Sequence, residues 1–125
     1  MIPNNKISHA VLEFGKELVL ALPNDHSKSE MEATMRVIVT VWNAVVLDAW
    51  NKTDRFEKEL ILLMKDQPRE MQIITKRLIK RKKKKFADDP RAVGKHWVRE
   101  KNGELVFGCE ARLDLEKVAT EGMPH

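Results

Sequence analysis

The segment between residues 28 and 50 constrains the fold of this 125-residue chain more than any other feature. Its middle, MRVIVTVWNAVVLDAW, is apolar around most of a helical circumference. A helix of this kind is buried on several sides, so it is either the central helix of a bundle or a helix at a subunit interface. Its β-branched residues would also suit a strand. We favour a helix because of its length and because Ser27 or Ser29 can cap its start.

Apolar residues that recur every three or four positions predict three further helices. Pro23 ends the first of them, and Pro68 is well placed at the first position of the last. Thr53 or Asp54 can cap the start of the remaining helix, and Asp54 with Glu57 three residues later fits a capping box. The expected helices span residues 6–22, 54–65 and 68–84.

Asn102 and Gly103 form a strong two-residue turn signal between two segments of alternating residues. This turn sets the register of an antiparallel hairpin, in which Trp97 covers bare backbone at Gly108. Because a lone hairpin is marginal in water, its apolar face must pack on the helices or on another chain. The expected facing pairs are Lys101 with Glu104, Glu100 with Leu105, Arg99 with Val106, Val98 with Phe107, Trp97 with Gly108, His96 with Cys109 and Lys95 with Glu110.

We therefore expect one α+β domain over residues 1–125 that is mostly α-helical. A four-helix core within residues 6–86 is followed by a C-terminal two-stranded antiparallel β-hairpin at residues 94–113. Residues 114–125 would form a short helix or a loose tail. Apolar residues make up 42% of the sequence, which is enough for a packed core.

The most informative charge feature is the block of residues 76–85, in which eight of ten residues are basic and none is acidic. On a helix, such a row can neutralise several phosphates of a nucleic acid or another polyanion. The alternative is a solvated helix end, where cations complement the helix dipole. Lys82 falls on the apolar stripe, so either its stem lies on apolar surface with its ammonium in water, or the helix frays there. The candidate nucleic-acid contacts are Lys76, Arg77, Lys80, Arg81, Lys82, Lys83, Lys84 and Lys85, with Arg91, Lys95 and Arg99 as extensions.

The order helix, tight turn, helix and hairpin over residues 54–113 is similar to that of winged-helix DNA-binding domains. Three features argue against this interpretation, and one is that no cluster of Asn, Gln or Ser on the last helix suggests base readout. The basic residues crowd the end of the last helix, whereas helix-turn-helix proteins read DNA mainly with its N-terminal part. The strand that such domains have between their first two helices also has no obvious counterpart. The similarity is one of element order, without a shared motif.

Few residues are candidates for catalysis or for metal binding. The four histidines are not paired at metal-ligand spacing, and the single cysteine excludes a disulfide. His96 faces Cys109 in the expected register and could activate a thiolate, although two half-buried residues on a hairpin are the commoner case. No glycine-rich phosphate loop occurs. We expect no enzymatic activity, no cofactor and no metal site.

The first functional expectation is a small binding or assembly protein that forms a homodimer through the apolar helix or the hairpin. Nucleic-acid binding through residues 76–85 is the alternative, and an enzyme is the least favoured class. Trp42 and Trp50 point to similar sides of the apolar helix and could also line a ligand pocket or the core. The sequence has no visible secretory signal, and its apolar run is short for a membrane span, so we expect a cytoplasmic protein. The candidate interface residues are Val41, Trp42, Val45 and Trp50.

Overall fold

A computed structural model describes the backbone of residues 2–3 and the whole of residues 6–112. This part of the chain is mostly helical and carries a C-terminal antiparallel hairpin, which confirms the predicted α+β class. The helix or tail expected at residues 114–125 lies outside the described residues. The helices are α1 (Lys6–Phe14), α2 (Lys16–Leu20), α3 (Lys28–Asn51), α4 (Arg55–Leu63) and α5 (Arg69–Lys85), with a turn of 3-10 helix at Met64–Asp66. The strands are β1 (Ile2–Pro3), β2 (Ala92–Lys101) and β3 (Glu104–Arg112).

Helix α3 lies at the centre of the core, in contact with the other four helices and with β2. Its start is closed by a capping box, in which the Ser27 hydroxyl accepts from the Glu30 amide at 3.1 Å and the Glu30 carboxylate accepts from the Ser27 amide at 3.0 Å. By length and composition alone, α3 is the one described helix that could cross a membrane. Here most of its apolar side chains are buried inside the protein, as a central core helix requires.

The first predicted helix is broken in two. The sequence predicts one helix over residues 6–22, but α1 ends at Phe14 and α2 begins at Lys16. Gly15 separates them and lies against α3, where an added Cβ would come within 2.7 Å of three side-chain carbons of Ile38. The prediction of a continuous helix is wrong because periodicity along one segment carries no signal of how closely another helix approaches it.

The start of α4 is also closed differently from the prediction. Asp54 is the N-terminal boundary residue, but its side chain makes no capping hydrogen bond. Instead, the two carboxylate oxygens of Asp48 accept from the backbone amides of Phe56 and Glu57, each at 2.9 Å. Asp48 is buried at the end of α3, and this burial raises the pKa of its carboxyl. An acceptor from the preceding helix therefore replaces the local capping box.

The hairpin register is confirmed for the six facing pairs between Lys101–Glu104 and His96–Cys109. Asn102 and Gly103 both have positive φ, at 53° and 79°, as a two-residue hairpin turn requires. The prediction fails at the far end, where an irregularity between Val93 and His96 shifts the register by one residue and removes the Lys95–Glu110 pair. On its other side, β3 pairs with β1 in parallel, so the sheet order is β1-β3-β2.

Asn43 joins the hairpin to the central helix. Its side-chain amide donates to the Val93 carbonyl at 2.9 Å, and its side-chain oxygen accepts from the Val93 amide at 2.7 Å. Asn43 thus satisfies both backbone groups of one β2 residue beside the irregularity. This polar residue of an otherwise apolar helix therefore fixes the position of the hairpin on α3. The inner hairpin face, with Val98, Phe107 and Cys109 buried, packs on α3 and α1.

Candidate polyanion-binding surface

The basic residues of α5 lie on three sides of the helix. Its buried side carries Thr75, Leu78 and Ile79, which pack towards α3. Lys76, Lys80 and Lys84 follow one another at intervals of four residues on the opposite side, and all three are exposed. None of the three makes an ion pair with a described residue. This row is the part of the basic block that is free to meet an external anion.

Carboxylates from other helices neutralise the two flanks of α5. Arg77 forms an ion pair with Glu17 of α2, and Lys83 forms one with Glu57 of α4. Arg81 is more constrained, because its guanidinium donates to the backbone carbonyls of Glu13 at 2.9 Å and Phe14 at 3.1 Å. Arg81 therefore links α5 to the end of α1. The flanking cations have structural partners and contribute less free positive charge than the sequence alone indicates.

A concave surface lies between the outward row and the α1 side of α5. This cavity has a volume of about 330 Å³. One carboxylate, that of Glu17, and one apolar residue, Leu78, complete its lining. The cationic residues that line it are Arg77, Lys80, Arg81, Lys84 and Lys85. Five cations around one concavity raise the local positive potential and favour an anionic ligand with several charges.

Lys82 does not belong to this surface. Both alternatives expected for Lys82 are wrong, because α5 continues to Lys85 and the residue is 3% exposed. Its Nζ donates to the carbonyls of Phe86 at 2.6 Å and Asp89 at 2.8 Å, and it lies 4.2 Å from the centroid of the Trp42 ring. Burial is the main cause that lowers the pKa of Lys82 to about 8; the Asp89 carboxylate partly opposes this shift, and the nearby Arg91 guanidinium adds to it. Lys82 holds the segment that leaves α5 and has no free position for a phosphate.

The acidic residues after α5 do not interrupt the outward row. The Asp89 carboxylate is bound by the Arg91 guanidinium at 2.6 and 2.8 Å, and this bond lowers the pKa of Asp89. Glu70, at the other end of α5, lines a separate groove towards α2 and α3. Because its guanidinium binds the Asp89 carboxylate, Arg91 does not extend the basic surface as expected from the sequence. The carboxylates that neutralise basic side chains of α5 are those of Glu13, Glu17 and Glu57, which pair with its flanks and lie far away in the sequence.

Three of the four candidate interface residues lie in the core of one chain. Val41 and Trp42 are fully buried and Val45 is nearly so, which corrects their assignment to a subunit interface. Trp42 makes edge contacts with the rings of Phe14 and Phe86, and its Nε1 donates to the Arg91 carbonyl at 2.7 Å. Trp50 alone among the four is exposed, at 55%. The apolarity of α3 serves the core of the protein.

His96 and Cys109 face each other as predicted, but their surroundings do not favour a reactive thiolate. Cys109 is fully buried, and its burial raises the pKa of the thiol. The Ser8 hydroxyl accepts from the Cys109 amide at 2.9 Å and lies 3.6 Å from Sγ. Desolvation lowers the pKa of His96. Within the described residues, no group of three histidine, cysteine or acidic side chains could hold a metal ion.

No family model, no curated protein and no solved structure matches this chain. The similarity to winged-helix domains thus stays one of element order. In the described residues, the hairpin packs mainly on α3 and α1, whereas α5 packs mainly on α3, α4 and α1. Helix α5 keeps an exposed face, which a nucleic-acid contact requires, but the base-contacting N-terminal part of a recognition helix has no counterpart in its sequence.

Proposed function

We propose that this protein binds the phosphate backbone of nucleic acid through the outward face of α5. The observation that carries the proposal is the cavity of about 330 Å³ lined by five cationic side chains and one carboxylate. The exposed row Lys76, Lys80 and Lys84 continues this positive surface along the helix, in steps of about 6 Å. Unpaired exposed lysines attract polyanions without sequence preference.

The outward face carries no aromatic side chain and no cluster of amides, so its contacts would be to phosphates. Four cations on this side, the three lysines of the row and Lys85, form no ion pair with described residues. If each neutralises one phosphate of a duplex, the log–log salt slope of the binding constant should be about −3.6. Binding would then weaken steeply between low and physiological salt.

Fluorescence anisotropy with labelled duplex DNA, single-stranded DNA and single-stranded RNA tests the proposal. The test variant is the triple replacement Lys76→Gln, Lys80→Gln and Lys84→Gln. The matched control removes the same charge from exposed lysines elsewhere, as Lys6→Gln, Lys28→Gln and Lys65→Gln. We expect the test variant to reduce the salt slope by about 3 and the control to leave most of it. Absence of binding at low salt, or equal losses in both triple variants, would overturn the proposal.

Self-association is a second candidate, and it depends on a different observation. Among the described residues, five large apolar side chains are exposed, with Leu62 and Leu63 adjacent at the end of α4. The five are Leu20, Trp50, Leu62, Leu63 and Ile73. Sedimentation velocity over a concentration series tests this proposal, with Leu62→Lys and Leu63→Lys as the disrupting variant. A dimer that the variant converts to monomer supports it, and a wild-type monomer at all concentrations contradicts it.

A further inference from the structure

We propose that the outer face of the hairpin is a second contact surface that takes an unpaired nucleobase on Trp97, so that the nucleic acid bound is single-stranded. This inference rests on the proposed function, since it names the class of nucleic acid. It depends on residues of β2, which lie outside α5. The two surfaces would have different roles, because α5 supplies cations without an aromatic side chain, whereas the hairpin supplies both cations and an aromatic side chain.

Trp97 lies flat on the sheet. An added Cβ on Gly108 would collide with the Cε2, Nε1 and Cζ2 atoms of its indole, so the ring occupies the space above the Gly108 backbone. The residue is partly exposed, unlike the fully buried Trp42. No described residue accepts a hydrogen bond from the Trp97 indole, whereas the Trp42 indole donates to Arg91. Trp97 therefore presents a partly exposed aromatic ring that packs on the Gly108 backbone and makes no hydrogen bond with a described residue.

The charge beside the ring suits a nucleotide. The Arg99 guanidinium lies 5.3 Å from the Trp97 ring centroid and forms no ion pair with a described residue. Because Arg99 is exposed, it can turn from the ring to the phosphate of a stacked nucleotide. Lys95 and Lys101 are exposed on the same strand. The opposing charges on this face are Glu104, which is paired in register with Lys101, and Glu110.

Unpaired bases are the ligand that this combination favours. A base inside a duplex is covered on both faces by its neighbours, so it cannot stack on a side chain that lies on a flat sheet. A phosphate-only polyanion would use the cations and make no use of the exposed part of the ring. Stacking of one base on one aromatic ring contributes enough free energy to change affinity several-fold or more, and it tolerates every base because each has a π-face.

The experiment compares a labelled 12-nucleotide oligothymidylate with an abasic oligomer of the same length and charge. The test variants are Trp97→Leu, which keeps an apolar cover over Gly108, and Trp97→Phe, which keeps an aromatic ring. Trp50→Leu is the matched control, because it removes the other exposed tryptophan. We expect Trp97→Leu to weaken oligothymidylate binding at least about fivefold, Trp97→Phe to retain most of the affinity, and the abasic oligomer to bind all variants equally.

Each other outcome separates the two proposals. If neither oligomer binds the wild-type protein at low salt, the proposed function fails. If both bind but Trp97→Leu changes neither affinity, or weakens both equally, base stacking is wrong and phosphate binding by α5 stands. Should Trp97→Leu fail to fold, tryptophan fluorescence of the Trp50→Leu protein gives the same decision. Oligothymidylate should quench it and the abasic oligomer should not, and equal quenching overturns the inference.

Discussion

Lys82 and Lys84 lie two residues apart in one uninterrupted basic run, yet the fold gives them opposite environments. Lys84 is exposed on the outer side of α5 and has no ion pair among the described residues. Lys82 is rotated towards the core, where two backbone carbonyls and the Trp42 ring surround its ammonium. Helical phase therefore decides which cations are structural and which can bind a ligand, and the density of charge in the sequence does not.

The buried position of Lys82 is compatible with a charge because the ammonium replaces water with close partners. Two of its three N–H donors bond to carbonyls, and the face of Trp42 stabilises the cation. These carbonyls belong to the segment between α5 and β2, so the contact orders the entry to the hairpin. The outward lysines have no comparable partners among the described residues, so they remain able to bind an external ligand.

The largest expected effect is on the free energy of unfolding, which should distinguish Lys82 from Lys84. Lys82→Met removes two charge-assisted hydrogen bonds and leaves the carbonyls of Phe86 and Asp89 without their donor, so we expect a loss of about 2 kcal/mol in the free energy of unfolding. Lys84→Met should change it by less than about 0.5 kcal/mol. Urea denaturation followed by circular dichroism measures both. Equal stability of the two variants would contradict a structural role for Lys82.

A second comparison concerns the two aspartates near the start of α4. Asp48→Ala removes the carboxylate that accepts from two backbone amides, and we expect a loss of about 1.5 kcal/mol. Asp54→Ala removes an exposed side chain that makes no capping bond, although it forms an ion pair with Lys58 at 3.1 Å. Its loss should be below about 0.5 kcal/mol. A larger loss of stability in Asp54→Ala than in Asp48→Ala would contradict the role of Asp48 and support the local capping box that the sequence predicts.

The hairpin, the break at Gly15 and the start of α4 indicate how far the sequence can predict the fold. Turn chemistry and two-residue alternation are local, so they predict six facing pairs of the hairpin correctly. The break at Gly15 depends on Ile38, and the cap of α4 depends on Asp48 in the preceding helix. The sequence carries no local trace of either contact. Predictions succeed where neighbours along the chain decide the structure and fail where a distant element does.

The same division applies to the candidate site. The basic block and its place on a helix follow from composition and periodicity, and the outward row agrees with helical phase. Helical phase also places Lys82 on the apolar stripe, but the acceptors for its ammonium come from the segment after α5. The ion pairs with Glu17 and Glu57 join helices that only the fold brings together. The sequence signal that could have indicated these ion pairs is the presence of acidic residues on the neighbouring helices.

The third prediction uses pH to sharpen the same contrast. The pKa of Lys82 is lowered from 10.5 to about 8, so between these values the unfolded chain binds more protons than the folded one. The contribution of Lys82 to stability therefore rises with pH through this window. We expect the wild-type protein to gain about 1 kcal/mol relative to Lys82→Met between pH 7.5 and 9.

Stopping at pH 9 limits an opposing effect of Cys109. Its raised pKa means that the unfolded thiol loses its proton first, so stability from this group falls with pH above about 9. The Lys82→Met protein retains Cys109, so the difference between the two proteins cancels that contribution. Denaturation curves collected at matched ionic strength measure the difference. A flat difference across the window would show that Lys82 keeps its ordinary pKa.

The smallest expected effect concerns the boundary between the free and the neutralised cations. Within the part of the chain that the structure describes, Glu17 is the one carboxylate that lines the basic cavity, and it pairs with Arg77. Glu17→Gln releases this guanidinium and removes a negative charge, so we expect nucleic-acid affinity to rise about threefold at low salt, in line with a surface ion pair of less than about 1 kcal/mol. Glu59→Gln, which removes an exposed carboxylate paired with Arg55 on α4, is the matched control. An equal rise in both variants would assign the effect to net charge, whereas a loss in Glu17→Gln alone would mean that Glu17 positions Arg77 for the ligand.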